Sequence, residues 1–319
     1  MNPLCIACDS QETTLVGKLP VFTPDYLDQS WAEAVDAGFL YRCEQCSLLF
    51  RWPMPSPEAL LIYYRGLDKD ERWHVDSERE VWTYVGNELA DVPIPSVLDV
   101  GCFRGNMLRQ IGSELSCFGV EPSPSARRES EAHGITIIGD SIDSLRSEKR
   151  RFGAITLIDV AEHLPRPLEA LQILSHVLAP RGKLIIFTGS TDALSWQFAR
   201  QDYWYCAMPE HVAFFRPSWF HWAARQLGFR VSSVKRLPYE PAAFRQRTDE
   251  TLKNMSFIIY RRLERFAGIG SILSRVPVIQ RIGNWQSCWW TSARDHILIT
   301  MTKNADAPFT KDVAPTASP

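Results

Sequence analysis

Four cysteines in this 319-residue chain stand as two Cys-x-x-Cys pairs, Cys5 with Cys8 and Cys43 with Cys46. That spacing lets the two thiolates of a pair turn onto one ion, and the two pairs together make a closed tetrahedral set suited to zinc. Four thiolates leave no open position for a substrate, so the ion reads as structural. Redox chemistry at one pair and direct catalysis by the metal are the alternatives. The 34 residues between the pairs exceed the usual ribbon interval, so the loop with Trp31 and Phe39 must supply structure of its own. Two histidines, His163 and His211, are candidate general bases, because an imidazole exchanges its proton near neutral pH. His163 has an alternative role, hydrogen bonding a loop.

Glycines and acids make a third group, and local patterning places them. Val97, Leu98 and Val100 form the short apolar run of a strand buried on both faces. Gly101 and Gly105 then punctuate the chain, and Met107, Leu108 and Ile111 resume at helical spacing. Glycine suits such a turn, where the backbone bends sharply and a ligand can meet main-chain N–H groups with no Cβ in the way. Glu121 closes a second apolar run, 117–121, at the place where α/β nucleoside binders put a ribose-binding acid. Asp140 and Ser141 follow a third run, 135–139, although Asp140 has the alternative of capping a helix through Leu145. Asp159 and His163 end a fourth run, 152–160, at the strand edge where open α/β sheets do chemistry. Ser123-Pro124 starts a helix that Gly134 ends. A leucine-striped helix over 167–178, and strands at 184–187, from 228 and over 296–302, complete the pattern.

These landmarks resemble the class I S-adenosylmethionine-dependent methyltransferases. The resemblance is carried by Val97-Leu98-Asp99-Val100-Gly101-Cys102, Asp159-Val160-Ala161-Glu162-His163-Leu164 and Pro180-Arg181-Gly182-Lys183-Leu184, and it covers residues 82–237 with 297–301. It implies an α/β fold, a Rossmann-like seven-stranded methyltransferase sheet with its last strand antiparallel, and S-adenosyl-L-methionine as cofactor. It further implies that Gly101 and Gly105 admit the methionine part, that Glu121 accepts from the ribose, and that Asp140 and Ser141 flank the adenine. Asp99 orders the loop or meets the cofactor's amino group, and Asp159 joins the cofactor-binding set. Family members usually carry a third glycine where this chain has Phe103. The cysteine lobe ending in residues 41–50 is similar to that of bacterial methyltransferases in sugar, polysaccharide and natural-product pathways. That similarity implies a small-molecule or glycan acceptor, methylated on a hydroxyl. Pro209-Glu210-His211 resembles an element on the family's substrate side. Two other readings compete: a nicotinamide-dependent oxidoreductase, which lacks its Gly-x-Gly-x-x-Gly here, and a non-catalytic zinc-knuckle scaffold.

A formal net charge of -2 argues against a general nucleic-acid binder and toward a small-molecule partner. Neither a bilayer-length apolar run nor a signal-peptide layout is expected, which points to the cytoplasm. The predicted organisation is a zinc-ribbon-like four-cysteine lobe over 1–55, a helical cap or linker over 56–95, and a cofactor-binding domain over 96–303. That domain carries a helical insertion at 240–290 and is followed by a disordered tail at 304–319. Residues 242–282 mix aliphatic side chains with arginines, and read as a substrate cover or homodimer contact, with peripheral membrane contact as the alternative. Residues 196–222 crowd aromatics around Pro209-Glu210-His211, which suits a flat or apolar ligand as well as simple packing.

Overall fold

The computed structural model describes residues 2–20, 37–56, 59–60, 79–111, 114–264 and 290–305. Trp31, Leu61, Tyr64 and Trp73, the insertion beyond 264 with Arg265, Phe266, Arg275 and Arg281, and the tail from 306 lie outside the described residues.

The chain opens with an antiparallel meander of β1 (Thr13–Lys18), β2 (Phe39–Cys43) and β3 (Leu49–Trp52). The turn between β2 and β3 carries the second cysteine pair. It closes through Cys43 N–H on the Leu48 carbonyl at 2.8 Å. Next, α1 (Glu80–Leu89) buries Val81, Val85 and Leu89, a stripe at every fourth residue, beside Val97 and Leu108.

Strand and helix then alternate. The elements are β4 (Ser96–Val100), α2 (Asn106–Ile111), β5 (Ser116–Val120), α3 (Pro124–Ala132), β6 (Thr136–Gly139), β7 (Phe152–Ile158), α4 (Pro167–Val177) and β8 (Leu178–Gly189). Every residue of β4 is buried, as a strand covered on both faces requires. Ser123 caps α3 by accepting from Ala126 N–H at 3.3 Å, with Pro124 in the first turn. The helix expected through Leu145 is a 3-10 turn, Ile142–Ser147, flanked by Ser141, whose side chain makes no cap. The remaining elements are α5 (Leu194–Ala199), α6 (Trp204–Ala207), β9 (Ala213–Phe214), α7 (Pro217–Leu227), β10 (Phe229–Leu237), α8 (Phe244–Glu264) and β11 (His296–Lys303).

The large sheet has the order β10-β11-β8-β7-β4-β5-β6. Pairings through β8, β7, β4, β5 and β6 are parallel, and β11 lies antiparallel between β8 and β10. This is the expected seven-stranded sheet with its last strand reversed. The chain walks outward from β4 to β6 and then restarts at β7 on the other side. The carboxyl ends of β4 and β7 therefore flank a switch point, where a crevice opens for ligands.

The sequence boundaries did not anticipate how the cysteine lobe is joined to this sheet. β9, from the far side of the chain, pairs antiparallel with β3, matching Leu49 with Phe214 and Phe50 with Ala213. Arg51 N–H continues the ladder onto the Val212 carbonyl at 2.9 Å. The Arg51 side chain is fully buried and donates to four main-chain carbonyls, those of Ala37, Cys206, Met208 and His211. One apolar core runs from Cys5, Leu48 and Phe50 through Phe215, Trp219 and Phe220 to Leu157 of the large sheet. A second, aromatic core gathers Trp196, Tyr203, Trp204, Tyr205 and Phe214, and Phe257 and Ile258 of α8 pack into it.

Candidate functional site

The two cysteine pairs meet. Sγ atoms of Cys5 and Cys46 are 3.6 Å apart, as are those of Cys8 and Cys43, and all four lie within 4.8 Å of one another. A disulfide needs about 2 Å, whereas four sulfurs at about 2.3 Å from one ion sit roughly 3.8 Å apart along each tetrahedral edge. The spacing fits the ion. Ala7 N–H points at Cys5 Sγ and Cys46 N–H at Cys43 Sγ, each at 3.5 Å. Such donors favour thiolates. The Cys46 thiol bonded to Cys5 brings Cys5 down to about 5, while that same pairing and burial push Cys46 up. A cation is what would let all four ionise together.

At the carboxyl end of β4 the chain enters the glycine turn. Gly101, Phe103 and Gly105 all have positive φ, at 76°, 47° and 77°. The two glycines serve the fold directly. A Cβ at Gly101 would meet Val160 Cγ2 at 2.6 Å, and one at Gly105 would meet Ile135 Cδ1 at 2.1 Å. Phe103 adopts the left-handed backbone without being glycine. Its amide is held at 2.9 Å by Oε2 of Glu121, whose Oε1 accepts from Ser123 N–H at 2.8 Å. Glu121 thus ties the tip of the turn to the start of α3 and is itself buried. Asp99 is buried beneath the turn and accepts from Thr156 Oγ1 at 2.6 Å. Burial pushes its carboxyl up to about 7, with the nearby Glu121 charge adding to the effect. Asp140 is exposed at the far end of β6, near Ser144 Oγ at 3.4 Å, and Ser141 is exposed beside it.

Asp159, His163 and His211 come together on the other flank. Asp159 also has positive φ, 55°, and its Oδ2 takes a 2.6 Å ion pair from Arg79 Nη1. Burial works against the Arg79 charge, but Asp159 outweighs it and holds the guanidinium protonated. His163 and His211 stack edge to face with ring centroids 5.0 Å apart. His163 Nδ1 lies 3.2 Å from the Glu210 carbonyl, and His211 Nδ1 lies 2.9 Å from the Tyr205 carbonyl. Burial lowers both imidazoles below the ordinary histidine range, His211 the further of the two. They are neutral rings at pH 7.

Sequence reasoning missed Glu162, Arg79 and Tyr205. Glu162, in the 3-10 turn Ala161–His163, lies beside the two histidines and accepts from Tyr205 Oη and, at 2.9 Å, from Thr188 Oγ1. Burial pushes its carboxyl up to about 7, with Asp159 contributing. Glu162, His163 and His211 bring one ligand atom each within 4.8 Å, so the cluster has the donor set of a cation site as well as of a proton relay. The available signal was the run Asp159-Val160-Ala161-Glu162-His163 itself, in which the acid adjoining the histidine was passed over.

Comparison with known proteins gives three findings. Residues 74–234, half of the chain, match the family described as "Methyltransferase domain". Among curated proteins, the Ubiquinone biosynthesis O-methyltransferase of Alkalilimnicola ehrlichii is 27% identical over 188 residues, spanning 54% of this chain and 75% of that one. Its namesake from Serratia proteamaculans is 26% identical over 137 residues, 39% of this chain and 57% of that one. A solved SAM dependent methyltransferase from Archaeoglobus fulgidus superposes with a TM-score of 0.47 at 18% identity, over 76% of this chain and 100% of the other.

Proposed function

The chain belongs to the methyltransferase domain family as an S-adenosylmethionine-dependent enzyme, and from that premise we propose that it methylates a hydroxyl of a small acceptor, most readily a secondary metabolite, with a sugar or polysaccharide precursor as the wider class. The observation that carries this reading is the buried Glu162–His163–His211 cluster beside the glycine turn, at the switch point of the sheet. The relatives' printed names support oxygen as the methylated atom. The aromatic enclosure by Trp204, Tyr205 and Phe214 favours a planar acceptor over a sugar.

The cofactor, when bound, supplies an electrophilic methyl on a sulfonium that departs as a neutral thioether. The chain's own work is therefore positioning and proton handling. Glu121 fixes the turn through the Phe103 and Ser123 amides and offers its carboxylate to the ribose hydroxyls. Gly101 and Gly105 bring the turn's backbone close, Asp99 supports it from below, Asp140 and Ser141 flank the adenine, and Asp159 lies toward the methionine end. His163 and His211, neutral and held at Nδ1 by carbonyls, meet the acceptor hydroxyl. The four cysteines hold one structural zinc, which fastens the lobe under β3. Residues 1–55, 56–95 and 96–303 act as lobe, cap and catalytic domain in a cytoplasmic enzyme. Within the insertion, α8 serves as a cover, because Phe257 and Ile258 are buried on the aromatic core. No helix among the described residues is long and apolar enough to cross a membrane.

Calorimetric titration with S-adenosylhomocysteine, beside NAD, tests the reading. Micromolar binding of the first ligand is expected, reduced at least tenfold in Glu121→Ala. Binding of NAD in its place would restore the oxidoreductase, and binding of neither would restore the scaffold.

A further inference from the structure

A third histidine, which the sequence showed only as the start of the last strand, is built differently from His163 and His211. His296 opens β11 opposite Gly189, at the carboxyl end of β8, and is completely buried. Its Nδ1 is 2.8 Å from Oδ1 of Asp295. Asp295 is itself fixed from two sides: Oδ2 accepts from Tyr203 Oη at 2.5 Å and from Trp204 Nε1 at 3.3 Å, and Ser195 Oγ donates onward to Tyr203 Oη at 3.2 Å. A carboxylate locked in this way holds the proton of His296 on Nδ1 and leaves Nε2 with its lone pair. That Nε2 is buried and has no hydrogen-bond partner among the described residues.

Two more orphaned atoms lie in the same neighbourhood. Asp159 Oδ1 and Arg79 Nη2 are buried and unpartnered among the described residues as well. Arg79 lies over the rings of Phe187 and Tyr239, with centroids 5.8 and 5.0 Å away. The same two rings flank His296, each at 5.1 Å, and Tyr205 and Trp204 complete the surround at 5.3 and 6.1 Å. A buried polar atom without a partner calls for an explanation. An acceptor, a donor and an imidazole nitrogen, all buried and unpartnered among the described residues, match a ligand carrying hydroxyls, and the rings packed on His296 favour an aromatic one.

We propose that the Asp295–His296 pair is the proton acceptor of the enzyme, with Nε2 of His296 taking the proton from the hydroxyl of a phenolic acceptor whose polar groups meet Asp159 Oδ1 and Arg79 Nη2. The inference rests on the methyl-transfer reading. In the step, the O–H bond breaks toward Nε2 and the oxygen lone pair forms the new O–C bond. The C–S bond breaks with its electron pair going to sulfur, and the imidazolium later releases its proton to water. His163 and His211 hold the acceptor by hydrogen bonds. The division of labour follows from the charges. Burial alone would lower His296, but the Asp295 charge and hydrogen bond, with Asp159 and Glu162 beyond, raise it above the ordinary histidine range. It is the stronger base of the three. The other titratable or charged groups round it are His211, lowered by burial and by the charges of His163 and His296, then Tyr203, Tyr205 and Tyr239, each pushed up by burial, and Arg79, whose charge is spent on Asp159.

The experiment uses full-length protein, S-adenosylmethionine and two phenols: catechol, and 4-nitrocatechol, which ionises near neutral pH without help. His296→Gln should bind S-adenosylhomocysteine within about threefold of wild type, yet lose roughly 10²–10³-fold in kcat/KM on catechol. On 4-nitrocatechol it should lose less than about tenfold. Should that variant fail to fold, Asp295→Asn serves, since an amide can still accept from Tyr203 and Trp204 while reversing the histidine tautomer. The wild-type catechol rate rises with pH as His296 gives up its proton, and in Asp295→Asn that limb moves to lower pH. Equal losses on both phenols, or a loss under threefold on catechol, would overturn the assignment. So would a wild type that binds S-adenosylhomocysteine and methylates neither phenol, although methyl transfer itself would then stand. A wild type that does not bind S-adenosylhomocysteine removes both.

Discussion

Replacing Arg51 by methionine should be among the most damaging single changes outside the core's large aromatics. The methionine chain fills much of the same volume, so the apolar stem is retained and the cavity is small. What is lost is the guanidinium and with it the donors to the carbonyls of Ala37, Cys206, Met208 and His211. Hydrogen bonds to a charged donor contribute about 1.5–3 kcal/mol each, and a buried acceptor left without one costs about 1–3 kcal/mol. Against this stands the several kcal/mol saved by no longer burying a charge. Four such bonds outweigh one desolvation, and the net comes to roughly 3–5 kcal/mol. The carbonyls stay behind in the methionine variant, so it differs from a buried ion pair replaced whole by apolar residues. Urea unfolding of Arg51→Met against wild type, followed by tryptophan fluorescence, measures the difference. Arg51→Lys, which keeps the charge but not the fork, should fall between the two. A loss below about 1 kcal/mol for the methionine variant, at unchanged denaturant slope, would refute the reasoning that this side chain holds the 206–211 segment.

Two further outcomes follow from the same geometry. Asp99 has its folded pKa at about 7, above the ordinary 3.8. Between those values the folded state keeps a proton that the unfolded chain has lost, so this group's contribution to stability falls as pH rises. Asp99→Asn should therefore gain on wild type by about 2 kcal/mol between pH 5 and pH 8 in denaturant titrations; a difference that is flat with pH, or of opposite sign, refutes it. The purified protein should carry one zinc per chain by elemental analysis, Cys8→Ser should hold less than half of that, and stripping the metal should lower the melting temperature by at least about 10 °C, because binding energy at such a site is folding energy.

The parts legible in the sequence were those decided by neighbours along the chain. Val97 to Gly105 shows its strand and turn within a few residues, and Ser123 with Pro124 announces its helix through local capping chemistry alone. The cysteine pairs were legible because metal spacing is a short-range rule. What stayed hidden depends on contacts far apart in sequence. Arg51 reads as an ordinary charged residue on a strand until β9 arrives from 162 positions later to cover that edge. His296 reads as a strand residue until Tyr203 and Trp204 fold onto Asp295. Asp159 was placed correctly at its strand end, but Arg79, its partner, lies 80 residues earlier in a stretch with no patterned signal. Phe103, an apparent departure from a glycine motif, is accommodated because Glu121 grips its amide.

The pairing of β3 with β9 has a bearing on how this protein can be cut. A proline-rich stretch such as Pro53-Met54-Pro55 invites a truncation that keeps only the larger domain. Removing the lobe there would strip β9 of β3, its strand partner in the small sheet, leaving an open edge ready to recruit another chain, and would take Arg51 from beneath the loop that ends in His211. A fragment starting after the prolines should thus be recovered as aggregate. A lobe transplanted from a relative would work only if it brought an arginine at the position of Arg51, so the two parts are expected to change together or not at all.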